Sequence, residues 1–91
     1  MKKFLMPQIN VIQTGARIRE LRKASGISTK TMMKIFNFDT PRAIYNWEEG
    51  ANAPSIDNLL VLSALFGVTL DELIVKDFKE FIKPFLDFLV I

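Results

Sequence analysis

The apolar positions of this 91-residue chain recur at spacings of three and four, and the residues between the apolar groups are mostly helix punctuation. Thr14 is placed to cap a first helix, with Ile18, Leu21 and Ala24 or Ser25 on its inward face and its end at Gly26. Ser28 caps a second, short helix through Met32, Met33, Ile35 and Phe36. "NFDT" reads as a turn. Thr40 then caps a third helix, and Pro41 takes its first position, where a missing N–H costs nothing. Ile44 and Trp47 lie three apart and share one face, with Glu48 beside Ile44; Gly50 ends that helix. After the loop "ANAP", Ser55 caps a fourth helix with Ile56, Leu59, Leu60, Leu62, Ser63 and Phe66 on or near its inner face, closing at Gly67. Thr69 caps a fifth, "LDELIV", whose acidic first turn suits the helix dipole. Alternation of β-branched residues is nowhere sustained, so the pattern predicts an all-α domain.

The segments outside these helices read differently. Residues 1–13 form an N-terminal arm, residues 14–75 the helical domain, and residues 76–91 an apolar tail, "KDFKEFIKPFLDFLVI". In the tail, Phe78, Phe81, Ile82 and Phe85 follow the i, i+3, i+4, i+7 spacing of a helical stripe, and Pro84 predicts a break. Such a stripe either folds back on its own domain or holds two copies together. Its polar side mixes both signs and lacks the basic excess of a membrane-surface helix.

Composition narrows the chemistry. There is no cysteine and no histidine. Disulfides, thiolate metal sites and the commonest general base are therefore excluded. The pairs Glu48-Glu49 and Asp71-Glu72 diverge on a helix and cannot flank one bond. Glycines 15, 26, 50 and 67 each fall near an expected helix end, so no loop cradles phosphate. The reading is of a protein that is not an enzyme, with no cofactor, no metal and no evident small-molecule site. "MKKFLM" stops at Pro7-Gln8, too short for a signal peptide, and no apolar run reaches the ~18 residues of a membrane span. A cytoplasmic location is expected. Hydrophobic residues make up 49% of the chain, which leaves apolar surface for a partner.

Net charge is +2, but the charges are unevenly placed. Residues 14–50 carry Arg17, Arg19, Arg22, Lys23, Lys30, Lys34 and Arg42 against Glu20, Asp39, Glu48 and Glu49. Residues 51–91 are acidic on balance. A basic front half suits a polyanion.

The run from Thr14 to Val75 resembles the helix-turn-helix domain of phage repressors and Cro, the XRE-like regulator class. The residues that carry the resemblance are "RIRELRKASGIS", "AIYNWEEG" and "PSIDNLLVLSALFGVTLDELI". It implies a five-helix repressor-like domain that binds double-stranded DNA as a dimer and regulates transcription. In that fold the second helix crosses the DNA backbone and the third enters the major groove. Pro41, Arg42, Ala43, Tyr45 and Asn46 then face the bases. Arg42 can contact guanine O6 and N7 in bidentate fashion, Asn46 adenine N6 and N7, and Ala43 with the Pro41 ring a thymine methyl. Arg17, Thr29, Lys30 and Asn52 are the expected phosphate contacts. The resemblance also pairs Glu48 with Arg22 in a shielded ion pair. Two positions depart from the family pattern. Thr29 stands where glutamine is usual, and the turn before the third helix is a residue longer, with Asn37 where glycine is expected. The competing expectation is a protein-interaction module of the same fold, antitoxin-like or anti-repressor-like, with little DNA binding.

Overall fold

The computed structural model describes residues 3–82. The order is β1 (Lys3–Ile9), α1 (Val11–Ala24), α2 (Thr29–Phe36), α3 (Arg42–Glu49), α4 (Ile56–Phe66), α5 (Leu70–Leu73) and β2 (Lys76–Ile82). Five helices thus appear in the expected order. Ser28, Ser55 and Thr69 cap α2, α4 and α5 by accepting from the backbone N–H of Thr31, Asn58 and Glu72. Glu72 returns a carboxylate to the Thr69 N–H, completing a capping box. Gly50 and Gly67 end α3 and α4 in the left-handed conformation.

The helical body closes over Ile18, Met32, Ile44, Trp47, Leu59, Leu62 and Leu73, with Leu21, Phe36, Phe38, Phe66 and Val68 among the partly buried residues packed around them. Each comes from the apolar face of its helix, so the three-and-four spacing maps directly onto one core. Among the described residues, every buried side-chain nitrogen or oxygen has a hydrogen-bond partner.

The all-α expectation is corrected at both ends. β1 and β2 form a two-stranded antiparallel sheet, in register from Lys3 opposite Ile82 to Ile9 opposite Lys76. Through Ile82 the tail is therefore extended, and the helical stripe expected from Phe78 onward does not form there. The stripe's period was a local signal. The ladder partner is the N-terminal arm, distant in sequence, and long-range pairing overrides local preference. Phe85 and the break at Pro84 lie outside the described residues. α5 is also shorter than "LDELIV": Ile74 turns extended and leads into β2.

Thr14 does not cap α1. The helix starts earlier, at Val11, and Asn10 caps it, its Oδ1 accepting from the Gln13 N–H at 2.9 Å. Thr14 is instead buried in the first turns of α1. Its Oγ1 accepts from the Val75 N–H at 3.0 Å and lies 3.3 Å from the Val75 carbonyl, to which it donates. Asn10 adds a backbone bond to the Val75 carbonyl at 2.8 Å and a side-chain bond to Asp77. One hydroxyl thus anchors the strand that leaves the helical body. Thr14→Val keeps the shape and removes both bonds, leaving the Val75 N–H unpaired and its carbonyl with the Asn10 N–H alone. The expected loss is about 1–3 kcal/mol, read as a lower urea midpoint, with Thr14→Ser retaining most of the stability.

Gly15 was expected near a helix end and is in fact inside α1. A Cβ there would stand 2.0 Å from the Trp47 carbonyl oxygen, so α1 and α3 touch backbone to backbone. Ile12 likewise meets Gly50, at the same C-terminal end of α3. These contacts set the seat of α3 against the body.

Candidate nucleic-acid interface

α2 and α3 are joined by a turn that begins at Asn37, the only non-glycine residue with positive φ among the described residues (φ 56°). Asparagine tolerates this conformation, so it replaces the expected glycine without a break in the motif. Beyond it the turn is braced by aromatics. Phe36 and Phe38 stack with ring centroids 5.3 Å apart, and both meet Trp47 of α3 edge-on at 5.3 and 5.8 Å. Phe38 leaves only a faint trace in the sequence, an aromatic two residues from another across a turn.

α3 begins one residue later than expected. Pro41 occupies the cap position and accepts the Tyr45 N–H, while Thr40 Oγ1 reaches only the Arg42 N–H at 3.4 Å. Ile44 and Trp47 face the core. On the outer side the candidate base-reading residues divide. Arg42, Ala43 and Asn46 line one cleft together with Phe38, Asp39 and Thr40 of the turn. Tyr45 lies on the other flank, in a cleft shared with Arg19 and Arg22 of α1 and with Glu48 and Glu49. Arg42 and Tyr45 are exposed; Pro41, Ala43 and Asn46 are half-buried, and Ala43 also packs against the core.

Thr29 and Lys30 occupy the first turn of α2, Lys30 exposed. That turn has an N-terminal dipole end and no acidic residue. Asn52 is exposed just past α3, its backbone N–H directed to the Asn46 carbonyl. Arg17 stands apart from this group. Its Nε donates to the Glu72 carbonyl, so the side chain acts as a strut between α1 and the end of α5.

Arg22 and Glu48 join α1 to α3. Nε donates to Oε2 at 2.7 Å and Nη2 to Oε1 at 3.0 Å, a bidentate pair with side chains only 11% and 6% exposed. Nη1 also donates to the Ile27 carbonyl at 2.9 Å, tying in the turn before α2. The hydrogen bonding to Glu48 raises the Arg22 pKa above its ordinary value, against the opposing effect of burial.

The helix-turn-helix family model matches residues 40–73, from the turn before α3 to the end of α5. The fold is similar to that of the restriction-modification controller protein C.AhdI from Aeromonas hydrophila: 30% identity, a TM-score of 0.61, and coverage of 70% of this chain and 96% of that one. The chain belongs to the XRE-like helix-turn-helix regulator family. Two structures of the BldD DNA-binding domain, one of them from S. venezulae, share the fold at 24% identity and TM-scores of 0.60, covering 71% of this chain. A comparison with curated proteins finds no match. In a helix-turn-helix protein, the two departures noted above sit in the motif itself: Thr29 at the head of α2, and Asn37 at its end. Among the described residues no helix is long and apolar enough to cross a membrane, and no acidic, histidine or cysteine cluster could hold a metal.

Proposed function

We propose that the protein binds double-stranded DNA sequence-specifically, as a homodimeric cytoplasmic transcriptional regulator of the repressor type with no enzymatic activity. The observation that carries this reading is the alignment of Arg42, Ala43 and Asn46 along one cleft of α3, beside a basic first turn of α2. With α3 in the major groove, Arg42 and Asn46 sit one helical turn apart and address neighbouring base pairs. Lys30, Thr29 and Asn52 hold phosphates on either side. Tyr45, displaced toward α1, reaches a backbone phosphate more readily than a base edge, and Pro41 presents its ring at the head of α3. Arg17, engaged with α5, contributes to the field more than to a direct contact. Glu49 lies at the far end of α3, away from the groove floor.

The family's dimeric habit supports two copies on one operator, because a single short helix reads few bases. The controller role of C.AhdI and the DNA-binding domain of BldD point the same way.

Selection of bound sites from a random DNA pool tests this, with an enriched, two-fold-related motif as the expected result. On that site Arg42→Ala should weaken binding by about 1–3 kcal/mol and relax preference at one base pair. Lys30→Ala should weaken all sequences alike and reduce the salt slope by about one. If neither substitution changes affinity, α3 is not the reader, and a protein-interaction role for the same fold takes its place.

A further inference from the structure

The cleft beside the head of α3 holds three kinds of hydrogen-bonding side chain. Arg42 only donates, Asn46 donates and accepts, and the Asp39 carboxylate only accepts. Arg42 and Asn46 have a part in the reading of DNA proposed above, and Asp39 has none. An acid facing phosphates loses affinity through like-charge repulsion, so a carboxylate on this surface needs a compensating donor. Its setting is fixed on both sides. Phe38, before it, donates its N–H to the Met33 carbonyl at 2.9 Å and stacks its ring on Phe36, against Trp47. Thr40, after it, accepts the Arg42 N–H. Asp39 itself is exposed, and among the described residues its carboxylate has no hydrogen-bond or ion-pair partner, Arg42 included. The dipole of α3 does not account for it. Asp39 lies two residues before the cap Pro41, and that effect fades within the first turn, which holds no acid.

We infer that Asp39 is a specificity-determining residue, its carboxylate accepting a hydrogen bond from the N4 amino group of a cytosine at or next to the base pair that Arg42 reads. The base follows from what each one shows in the major groove. Guanine presents two acceptors and thymine an acceptor and a methyl, so both oppose a side chain that can only accept. Adenine presents a donor, but its N7 acceptor stands beside it and opposes the second carboxylate oxygen. Cytosine presents its amino group with no acceptor of its own on that edge. The acceptors nearest to that amino group belong to the paired guanine, and a guanidinium placed on them removes their opposition. Arg42 and Asp39 are three positions apart and line the same cleft, so a donor and an acceptor of opposite charge are offered to one stretch of groove. On a cytosine the carboxylate gains a bond that offsets its repulsion by phosphate. On any other base it is left unpaired beside a polyanion, and its main effect is to exclude wrong sequences.

The inference rests on the DNA-binding reading proposed above. Selection from a random DNA pool, run in parallel on the parent, Asp39→Ala and Asp39→Asn, tests it, with Arg42→Ala beside them to mark the position of the guanine. The parent motif should hold a cytosine at or next to that position. In binding titrations Asp39→Ala should lower the preference for that cytosine over thymine by about fivefold. The same change should raise affinity for unrelated DNA, because a negative charge has left the surface. Asp39→Asn keeps the size of the side chain and should move the preference to adenine, whose N6 and N7 match an amide. Circular dichroism shows that each variant is folded. An Asp39 that only shapes the turn would change affinity for all sites alike and switch no base, and that result overturns the inference. An unchanged motif in both Asp39 variants, with the Arg42 position still sensitive, also overturns it and leaves the DNA-binding reading standing. A parent that selects no motif overturns both. A switch at a position remote from the Arg42 guanine overturns the assignment of the two side chains to one stretch of groove.

Discussion

Replacing Glu48 by alanine should destabilise the protein by about 3–5 kcal/mol, and replacing Arg22 by a similar amount. The size follows from shielding. Both side chains are nearly out of water and bonded at two points, so removal of either leaves a charge without its counterpart. Arg22→Ala additionally strips the Ile27 carbonyl of its donor and loosens the turn that presents α2. The double substitution should cost less than the sum, because no unpaired charge remains. Equilibrium urea unfolding of all four species gives the coupling, expected at about 1–3 kcal/mol. Small, additive losses would mean that the pair contributes little to holding α3 in place. An exposed ion pair such as Lys76–Asp71 provides the internal contrast, with an expected contribution under about 1 kcal/mol.

Gly15→Ala should be destabilising by about 3 kcal/mol or more, although helix propensity alone favours alanine over glycine by about 1 kcal/mol. The new methyl would lie 2.0 Å from the Trp47 carbonyl oxygen and within 3.2 Å of the carbonyl carbons of Trp47 and Glu48. None of these is a side-chain tip that can swing aside. α1 and α3 must separate, which strains the Trp47 packing and the Arg22–Glu48 pair together. Thermal melts monitored by circular dichroism will show the loss. DNA titration then separates fold from contact: the folded fraction should keep the parent's salt slope, because no phosphate contact has been removed. A variant more stable than the parent would show that the two helices are not in backbone contact.

Much of this was legible in the chain because it is written locally. Ser28, Ser55 and Thr69 each precede a periodic apolar run, and a cap needs only residues within one turn. The inward set of α3, Ile44 and Trp47, follows from spacing alone, and with it the outward position of Arg42 and Asn46. What escaped depends on contacts between distant residues. Thr14 looks like a cap by type and position, and its hydroxyl serves Val75, sixty-one residues away. Gly15 looks like punctuation, and its reason is the Trp47 carbonyl. β1 has apolar residues on both faces, Phe4 and Met6 against Leu5 and Ile9, so no alternation marks it. β2 carries a helical period by accident of its phenylalanines. The division of Tyr45 from Arg42 and Asn46 likewise depends on where α1 passes.

The junction of the two strands with the helical body also fixes an order of assembly. Asn10 and Asp77, joined at its foot, are 67 positions apart in sequence. Bringing such distant segments together in an unfolded chain costs several kcal/mol of loop-closure entropy, on the order of 4 kcal/mol before the constant term. The helices α1 to α5 meet one another across short connections and can condense first. Once they have, Val75 is already held near Thr14, and the long loop has shrunk to the span of a folded body. The ribbon can then zip outward from Asn10 and Val75 one pair at a time. It therefore forms late and opens early, without requiring the helical core to open with it.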